Sequence, residues 1–405
     1  MKDFDIIGAA KTAEAELIAL RRDLHRIPEY GDTLPLTRAY VCAYLDRIGV
    51  PYRIIEGGDG VVAEIAGARP GRTIGLRADM DALNGIEQTP HSYRSGIEGK
   101  MHGCGHDAHT AILLLTARIL NERKENLTGN LRLLFQSGEE TGTGARLMLA
   151  SGALDGVDAL FGLHVGDLAG DGLRAGELAI LPGYVSAGKI KFTLTVKGKG
   201  THSAFPERGV DPIPIAARIV NGCEELAARE IPAGTAAIIS FGSLHAGEDH
   251  NTIPDTAVIR GSIRCQDDAV RAFLGERVRA LAEGIAAAYR AECAVELKVG
   301  SPSVRNDEAM AALAAQAVAS ALGEEKVKTR LPRPLMASDD FANYAARIPS
   351  VYFMLHTNNE EKGIIAPNHS PFFDIDESVL WEGVAAYLSI ARAFSHGDGS
   401  SAKFE

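Results

Sequence analysis

RTIGLRAD, residues 72–79, is a short apolar run closed by a charged residue. It reads as a buried strand, and four other runs rich in β-branched and aliphatic residues read the same way: GVVAEIAG (60–67), NLRLLFQ (130–136), ALFGLHV (159–165) and SVYFMLH (350–356). Between them, AHTAILLLTARILNERKE (108–125) and ARLMLASGAL (145–154) have helical period and read as crossover helices. This alternation predicts an α/β fold, a mixed and mostly parallel sheet with helices on both faces.

The middle of the chain follows another order. KIKFTLTVKGKGTHS (189–203) alternates like a half-exposed strand, and 211–229 is helical. GTAAIISFGSLHAG (234–247) and TAVIRGSIRC (256–265) read as a strand pair, 268–292 as a long amphipathic helix, and CAVELKVG (293–300) as a strand. The order β-α-β-β-α-β is that of the ferredoxin-like split motif. It predicts a small α+β domain, residues 186–297, inserted into a larger α/β domain made of 1–185 and 298–405. Leu181-Pro182-Gly183 suits the exit.

At 405 residues the chain is long enough for about two domains, each with a core of its own. Hydrophobic residues make up 46% and charged residues 23%, and no apolar run approaches the roughly 18–20 residues of a membrane span. The N-terminal stretch lacks the uninterrupted apolar segment of a signal peptide. Five cysteines, Cys42, Cys104, Cys223, Cys265 and Cys293, are an odd number scattered over the chain, which suits a reducing compartment. The expected location is cytoplasmic. With 42 basic against 53 acidic residues the net charge is −11, which disfavours nucleic acid or anionic membrane as a partner.

In an open parallel sheet the binding crevice lies beyond the carboxyl ends of the strands. Four such ends carry chelating groups here: Asp79, the pair Glu139 and Glu140, His164, and His356. KMHGCGHDAHT (100–110) adds Cys104 and His106 just before a helix, and APNHSPFFDIDE (366–377) adds His369. Thiolate, imidazole and carboxylate together suit zinc or another first-row divalent ion, whereas calcium or magnesium asks for oxygen alone. Gly103 and Gly105 allow a turn that faces Cys104 and His106 to one ion; a capped helix start with incidental histidines is the plainer reading of that stretch. His102 and His109 read as packing or ligand-orienting histidines. Asp79 reads either as an acceptor that orients a ligand or as the cap of a following helix. Two adjacent carboxylates after a buried strand ask for positive charge, and one of them can bind a metal while the other takes a proton from water.

Arg77-Ala78-Asp79-Met80-Asp81-Ala82-Leu83, the 101–109 loop, Gln136-Ser137-Gly138-Glu139-Glu140 and His369-Ser370-Pro371, in this order, resemble the metal-dependent aminoacylase/carboxypeptidase family. That family contains the auxin-conjugate hydrolases, hippurate hydrolases and N-acetyl-diaminopimelate deacetylases. The likeness runs from about residue 13 to 392. It implies a two-metal centre of zinc or manganese, with nickel or cobalt as alternatives, held by Cys104, His106, Glu140, His164 and His369, with Cys104 bridging. It implies Glu139 as general base and a homodimer whose inserted domain acts as a lid. His202 falls at the lid position that polarises the scissile carbonyl in the partner's site, and Asn251 with Arg264 at the positions that grip a substrate carboxylate. The implied reaction is hydrolysis of the amide of N-acyl amino acids or short peptide-like conjugates.

Three departures from the family pattern stand out. Asn84-Gly85 follows RADMDAL where proline is common, and Asp339-Asp340-Phe341 replaces glutamate-aspartate-phenylalanine. His356 stands where glycine is usual, which sets an imidazole near the substrate and bears on acyl or amino-acid preference and on the metal count; a satisfied strand-end histidine is the plain alternative. The rival reading of the whole chain is a catalytically silent metal-containing protein that binds amino-acid conjugates.

Overall fold

The computed structural model describes residues 4–167 and 172–396. RTIGLRAD is the inner part of a longer strand, Arg69–Asp79, exposed over its first residues and buried from Ile74 to Asp79. This strand lies inside an eight-stranded sheet with the order Tyr52–Ile54, Val61–Ala66, Thr128–Gln136, Arg69–Asp79, Ala159–Gly166, Ser350–His356, Leu178–Ala179, Val327–Lys328. The four central strands, from Thr128–Gln136 to Ser350–His356, run parallel. Val61–Ala66 is antiparallel to Thr128–Gln136 on one side, and Leu178–Ala179 to Ser350–His356 on the other, so the sheet is mixed. Ala159–Gly166 and Ser350–His356 are buried along their whole length, which is why they read as unbroken apolar runs.

Register decides what this sheet presents. Asp79 pairs with Gln136, and His356 with Gly166. The carboxyl ends of neighbouring parallel strands therefore stop side by side, and the residues after them share one edge of the sheet.

His106–Asn121 is the central helix. It is apolar almost all round because it packs against the sheet on one side and against Glu14–His25 and Leu380–His396 on the other. It stops at Asn121, short of the expected 125, and a 3₁₀ turn follows at Lys124–Asn126. The helix expected over 145–154 is Gly144–Ala150; Gly152 takes φ +69 just past its end, a left-handed stop that closes helices at little steric cost. No helix follows Asp79: the chain goes on to Leu83–Asn84, which pairs with Lys100–Met101, so Asp79 is not a helix cap. The Asn84-Gly85 departure sits in this small ladder.

The chain forms two compact units. The larger comprises residues up to Val185, Arg305–Leu335, and the chain from Asp339 on; the smaller comprises Ser186–Val304 and Met336–Ser338. The smaller unit has its own antiparallel sheet, ordered Ala237–Ala246, Thr256–Cys265, Gly188–Lys197, Glu292–Val299. Ile190, Phe192, Leu194 and Val196 alternate onto one face and bury against Pro212–Arg229 and Asp268–Ala288. Asp211 and Asp267 cap these helices, each accepting backbone N–H bonds from the first turn. No helix of the described residues is long and apolar enough to cross a membrane.

Candidate metal centre

The site begins with a backbone constraint. Gly105 takes φ +86 at the start of the central helix, and a Cβ there would come within 2.4 Å of Val165. Glycine alone lets the 101–105 loop press onto the end of the Ala159–Gly166 strand. Gly103, also expected to help this turn, is not left-handed. The close approach sets Cys104 Sγ 3.5 Å from His164 Nε2.

Hydrogen bonds then orient the imidazoles. His164 Nδ1 lies 2.7 Å from the carbonyl of Val165, and His106 Nδ1 lies 2.7 Å from that of Asp81. Each Nδ1 donates its proton outward, which leaves Nε2 as an inward lone pair. His106 Nε2 is buried with no hydrogen-bond partner among the described residues. A metal-binding histidine is held in this way, with its other nitrogen donating to a carbonyl.

The carboxylates come from the next strand. Gly138 takes φ +71, and its missing side chain leaves room for Asp32. Asp81 accepts the backbone N–H of Glu139 at 3.0 Å and of Glu140 at 3.1 Å, one on each oxygen. One residue thus fixes His106 through its carbonyl and both glutamates through its carboxylate. Glu140 Oε1 is buried without a hydrogen-bond partner among the described residues, 3.5 Å from His369 Nε2. His369 has φ +71, uncommon for a side chain of its size, and its N–H is tied to Gly103 at 2.7 Å. Asn368 links the carbonyls of Cys104 and Val165.

Three donor groups result. Cys104, His106 and His164; Cys104, Glu140 and His369; and His106, Glu139 and Glu140 each bring ligand atoms within 4.8 Å of one another. Cys104 belongs to the first two, so the thiol lies between two neighbouring clusters. Asp79, His106 and His109 also approach, but both nitrogens of His109 are used, on Asp79 and on the N–H of Val165. Glu139, Asp339 and Asp340 form a last acidic group, whose aspartates are already satisfied by Arg77, Gln136, Tyr352 and backbone N–H groups. Donor chemistry and orphaned atoms therefore fit divalent metal at the Cys104–His164 and Cys104–His369 clusters.

Comparison with known proteins agrees. The family model described as peptidase family M20/M25/M40 matches residues 75–393. The chain belongs to that family. It is 36% identical over 393 residues to thermostable carboxypeptidase 1 of Saccharolobus solfataricus, covering 94% of this chain and 95% of that protein. It is 37% identical over 370 residues to N-acetyl-L-cysteine deacetylase of Bacillus subtilis, covering 91% and 86%. Among solved structures, the Bacillus subtilis YXEP protein, described as a dinuclear metal binding peptidase from the M20 family, superposes with TM-score 0.81 at 33% identity, covering 94% of this chain and 98% of that one. As a member of the M20/M25/M40 family the chain is a metal-dependent hydrolase acting on amides.

The electrostatics of this M20/M25/M40 site call for cations. Burial first, then Asp339, Asp340 and Glu140, hold the Glu139 carboxyl well above its usual range. Burial pushes Glu140 up to about 7 against the pull of His106, and pushes the Cys104 thiol up to about 12. For His106 burial works downward, but Asp79 and Cys104 overcome it and hold the imidazole well above its ordinary value. Protons are thus retained on groups that divalent ions would otherwise stabilise in the deprotonated or neutral form.

Beneath these groups lies Arg77, completely buried. Its guanidinium meets Asp79 at 2.6 Å, Gln136 at 3.0 Å, Asp340 at 3.1 Å and Asp339 at 3.5 Å. Asp79 in turn accepts from His109, and the N–H of Asp340 donates to Glu139 at 3.3 Å. The sequence assigned no role to Arg77, Asp81, Asp340 or Asn368. Arg77 and Asp81 appear there only as members of a quoted motif, Asp340 only within the Asp339-Asp340-Phe341 departure, and Asn368 only beside His369.

The remaining expected residues lie elsewhere. His356 is buried at its strand end, and its Nδ1 lies 3.6 Å from Asp167 without a hydrogen-bond partner among the described residues. In the smaller unit, His202 Nδ1 accepts the N–H of Ala204 at 3.0 Å, and the N–H of Ser203 donates to the Asn251 carbonyl at 2.9 Å, so His202 and Asn251 are neighbours. Arg264 donates to the carbonyl of Met336 at 2.9 Å and to Ser338 at 3.1 Å.

His102 is fully buried, and neither ring nitrogen has a hydrogen-bond partner among the described residues. Burial, only partly offset by Asp107, pushes it from 6.5 down to about 3. The unfolded chain therefore takes up a proton that the fold refuses. This contribution to stability is whole above about pH 6.5 and is lost as the pH falls towards about 3, at about 1.36 kcal/mol per unit. In metal-free protein, His102→Leu is expected to flatten the loss of stability between pH 6.5 and 4. Parallel profiles for wild type and variant would refute the assignment.

Proposed function

We propose that this protein hydrolyses the amide bond of N-acyl amino acids or short peptide-like conjugates, with Glu139 as general base and acid. The observation that carries this reading is the position of Glu139. It follows a strand end, shares the Asp81 anchor with Glu140, and adjoins the donor groups without being needed to complete the Cys104 clusters. Cys104, His106, Glu140, His164 and His369 are assigned to two divalent ions, zinc or manganese by donor type. When bound, such ions supply Lewis acidity towards a carbonyl and lower the pKa of water.

The residues do the rest. Glu139 accepts a proton from the attacking water and returns it to the departing nitrogen. The smaller unit is assigned the part of a ferredoxin-like lid in a cytoplasmic homodimer. Within it His202 polarises the scissile carbonyl, and Asn251 with Arg264 binds the substrate carboxylate, a task suited to a planar guanidinium. His356, whose Nδ1 has no hydrogen-bond partner among the described residues, is assigned to substrate discrimination.

The names of the relatives support the substrate class, since one is a deacetylase of an N-acyl amino acid and another a carboxypeptidase. The test is a panel of N-acyl amino acids and dipeptides offered to protein reconstituted with zinc or manganese, with free amine measured. Turnover is expected on at least one N-acyl amino acid, and a chelator is expected to abolish it. Saturable binding of these compounds with no amine released from any of them would mark a silent binding protein and overturn the reading.

A further inference from the structure

The residues assigned to metal all lie within the span matched by the family model, 75–393, yet the segments around His106, Asp81 and the Glu139-Glu140 pair are held from outside it. The holding groups are in one short stretch, Arg21 to Asp32, at and beyond the end of the Glu14–His25 helix. Arg21 is completely buried, and its Nε donates to Asp107 Oδ2 at 2.8 Å. His25 sits between two carboxylates, Nδ1 at 2.7 Å from the same Asp107 oxygen and Nε2 at 3.2 Å from Glu87 Oε1. Glu87 is itself pinned by the hydroxyl of Thr89 and the N–H of Ser95. Asp107 is the residue after His106.

Two more contacts repeat the pattern. The Glu29 carbonyl accepts the N–H of Ala82 at 2.7 Å, next to Asp81, and its carboxylate is anchored by the N–H of Thr37 at 2.8 Å. Asp32 accepts the hydroxyl of Thr143 and packs into the space left by Gly138, the residue before Glu139. Arg21 and His25 meet the residue after His106, Glu29 meets the residue after Asp81, and Asp32 meets the residue before Glu139, so three separate segments are each reached beside a site residue. The same stretch also reaches Glu377 through Arg21, Glu87 through His25 and Thr143 through Asp32.

We infer that Arg21, His25, Glu29 and Asp32 are positioning residues that hold the three metal-site loops in register with one another. The inference rests on the metal centre proposed above. Buried polar contacts of this kind fix the side chains they support, because an unpaired Asp107 or Arg21 inside the protein would be strongly unfavourable. Loss of groups that orient metal ligands weakens retention about 10–100-fold.

The experiment measures zinc release from zinc-loaded full-length protein into excess chelating dye, together with the thermal midpoint of the metal-free form. His25→Ala and Arg21→Lys are expected to release zinc about 10–100-fold faster than wild type, and His25→Gln, which keeps a donor, to recover part of the difference. Leu17→Ala is the control. It removes a buried side chain from the same helix, so it lowers the midpoint but leaves release at the wild-type rate. If release in every variant follows the midpoint, as in Leu17→Ala, the positioning role is overturned while the metal centre stands. Wild-type protein that takes up neither zinc nor manganese would remove both.

Discussion

Glu139→Gln is expected to lower kcat by about 10²–10⁴-fold while metal content and fold are kept. Glutamine has the shape of glutamate, and its carbonyl can still accept the N–H of Asp340, which lies 3.3 Å from the Glu139 oxygen. What it cannot do is take up a proton and give it back. In metal-free protein the substitution also replaces a carboxyl that burial, Asp339, Asp340 and Glu140 hold protonated, so the fold no longer has to keep a proton there. Metal-free variant protein should therefore unfold at the wild-type temperature or above it. Three measurements decide the matter: kcat on the best substrate of the panel, metal ions per chain, and the thermal midpoint. Activity within tenfold of wild type would remove Glu139 as the proton carrier, and a loss of activity that accompanied a loss of metal would make it a ligand instead.

Arg77→Met should cost about 3–5 kcal/mol of stability, the usual penalty for breaking a buried ion pair from one side. Methionine fills much of the same space but leaves Asp79, Asp339 and Asp340 facing one another with no cation between them. Asp340, already pushed up to about 7 chiefly by burial, can relieve part of this by holding a proton. Asp79 has less freedom, because Arg77 and the nearby histidines hold it well below its usual range in spite of its burial. Arg77→Lys should restore less than half of the loss, since a compact ammonium cannot serve acceptors spread around a planar fork. Trp381, the single tryptophan, belongs to the larger unit, so its fluorescence during denaturant unfolding reports on the unit that contains Arg77. A change below about 1 kcal/mol, against the 3–5 kcal/mol of a broken buried pair, would show that the cluster relaxes around the missing charge.

The two substitutions probe different layers of one site, and the layers were not equally legible in the sequence. Asp79, Glu139, Glu140, His164 and His356 could be found because each closes an apolar run, and strand ends in a parallel sheet converge by construction. Cys104 and His106 were visible as chelating types beside a glycine-rich turn. The pairing of Arg77 with Asp340 was hidden, since a charged residue inside or beside an apolar run carries no sign of whether it meets a partner of opposite charge. Arg21 and His25 were further still from view: they lie in a stretch that mixes acids and bases, and only the packing of their helix against the central one buries these two.

Period and strand-end chemistry, which are local, determined the α/β sheet, the helix-covered core and the class of ion the donors favour. The tertiary structure decided which nitrogen of His106 and His164 faces inward, that His109 is spent on Asp79 and Val165, and that one aspartate, Asp81, holds three site residues at once. Apart from the bond of His164 to the adjacent Val165, those outcomes depend on hydrogen bonds a few ångströms long between residues tens of positions apart. No local pattern of residues encodes such distances, because they arise only when the strands have taken their register.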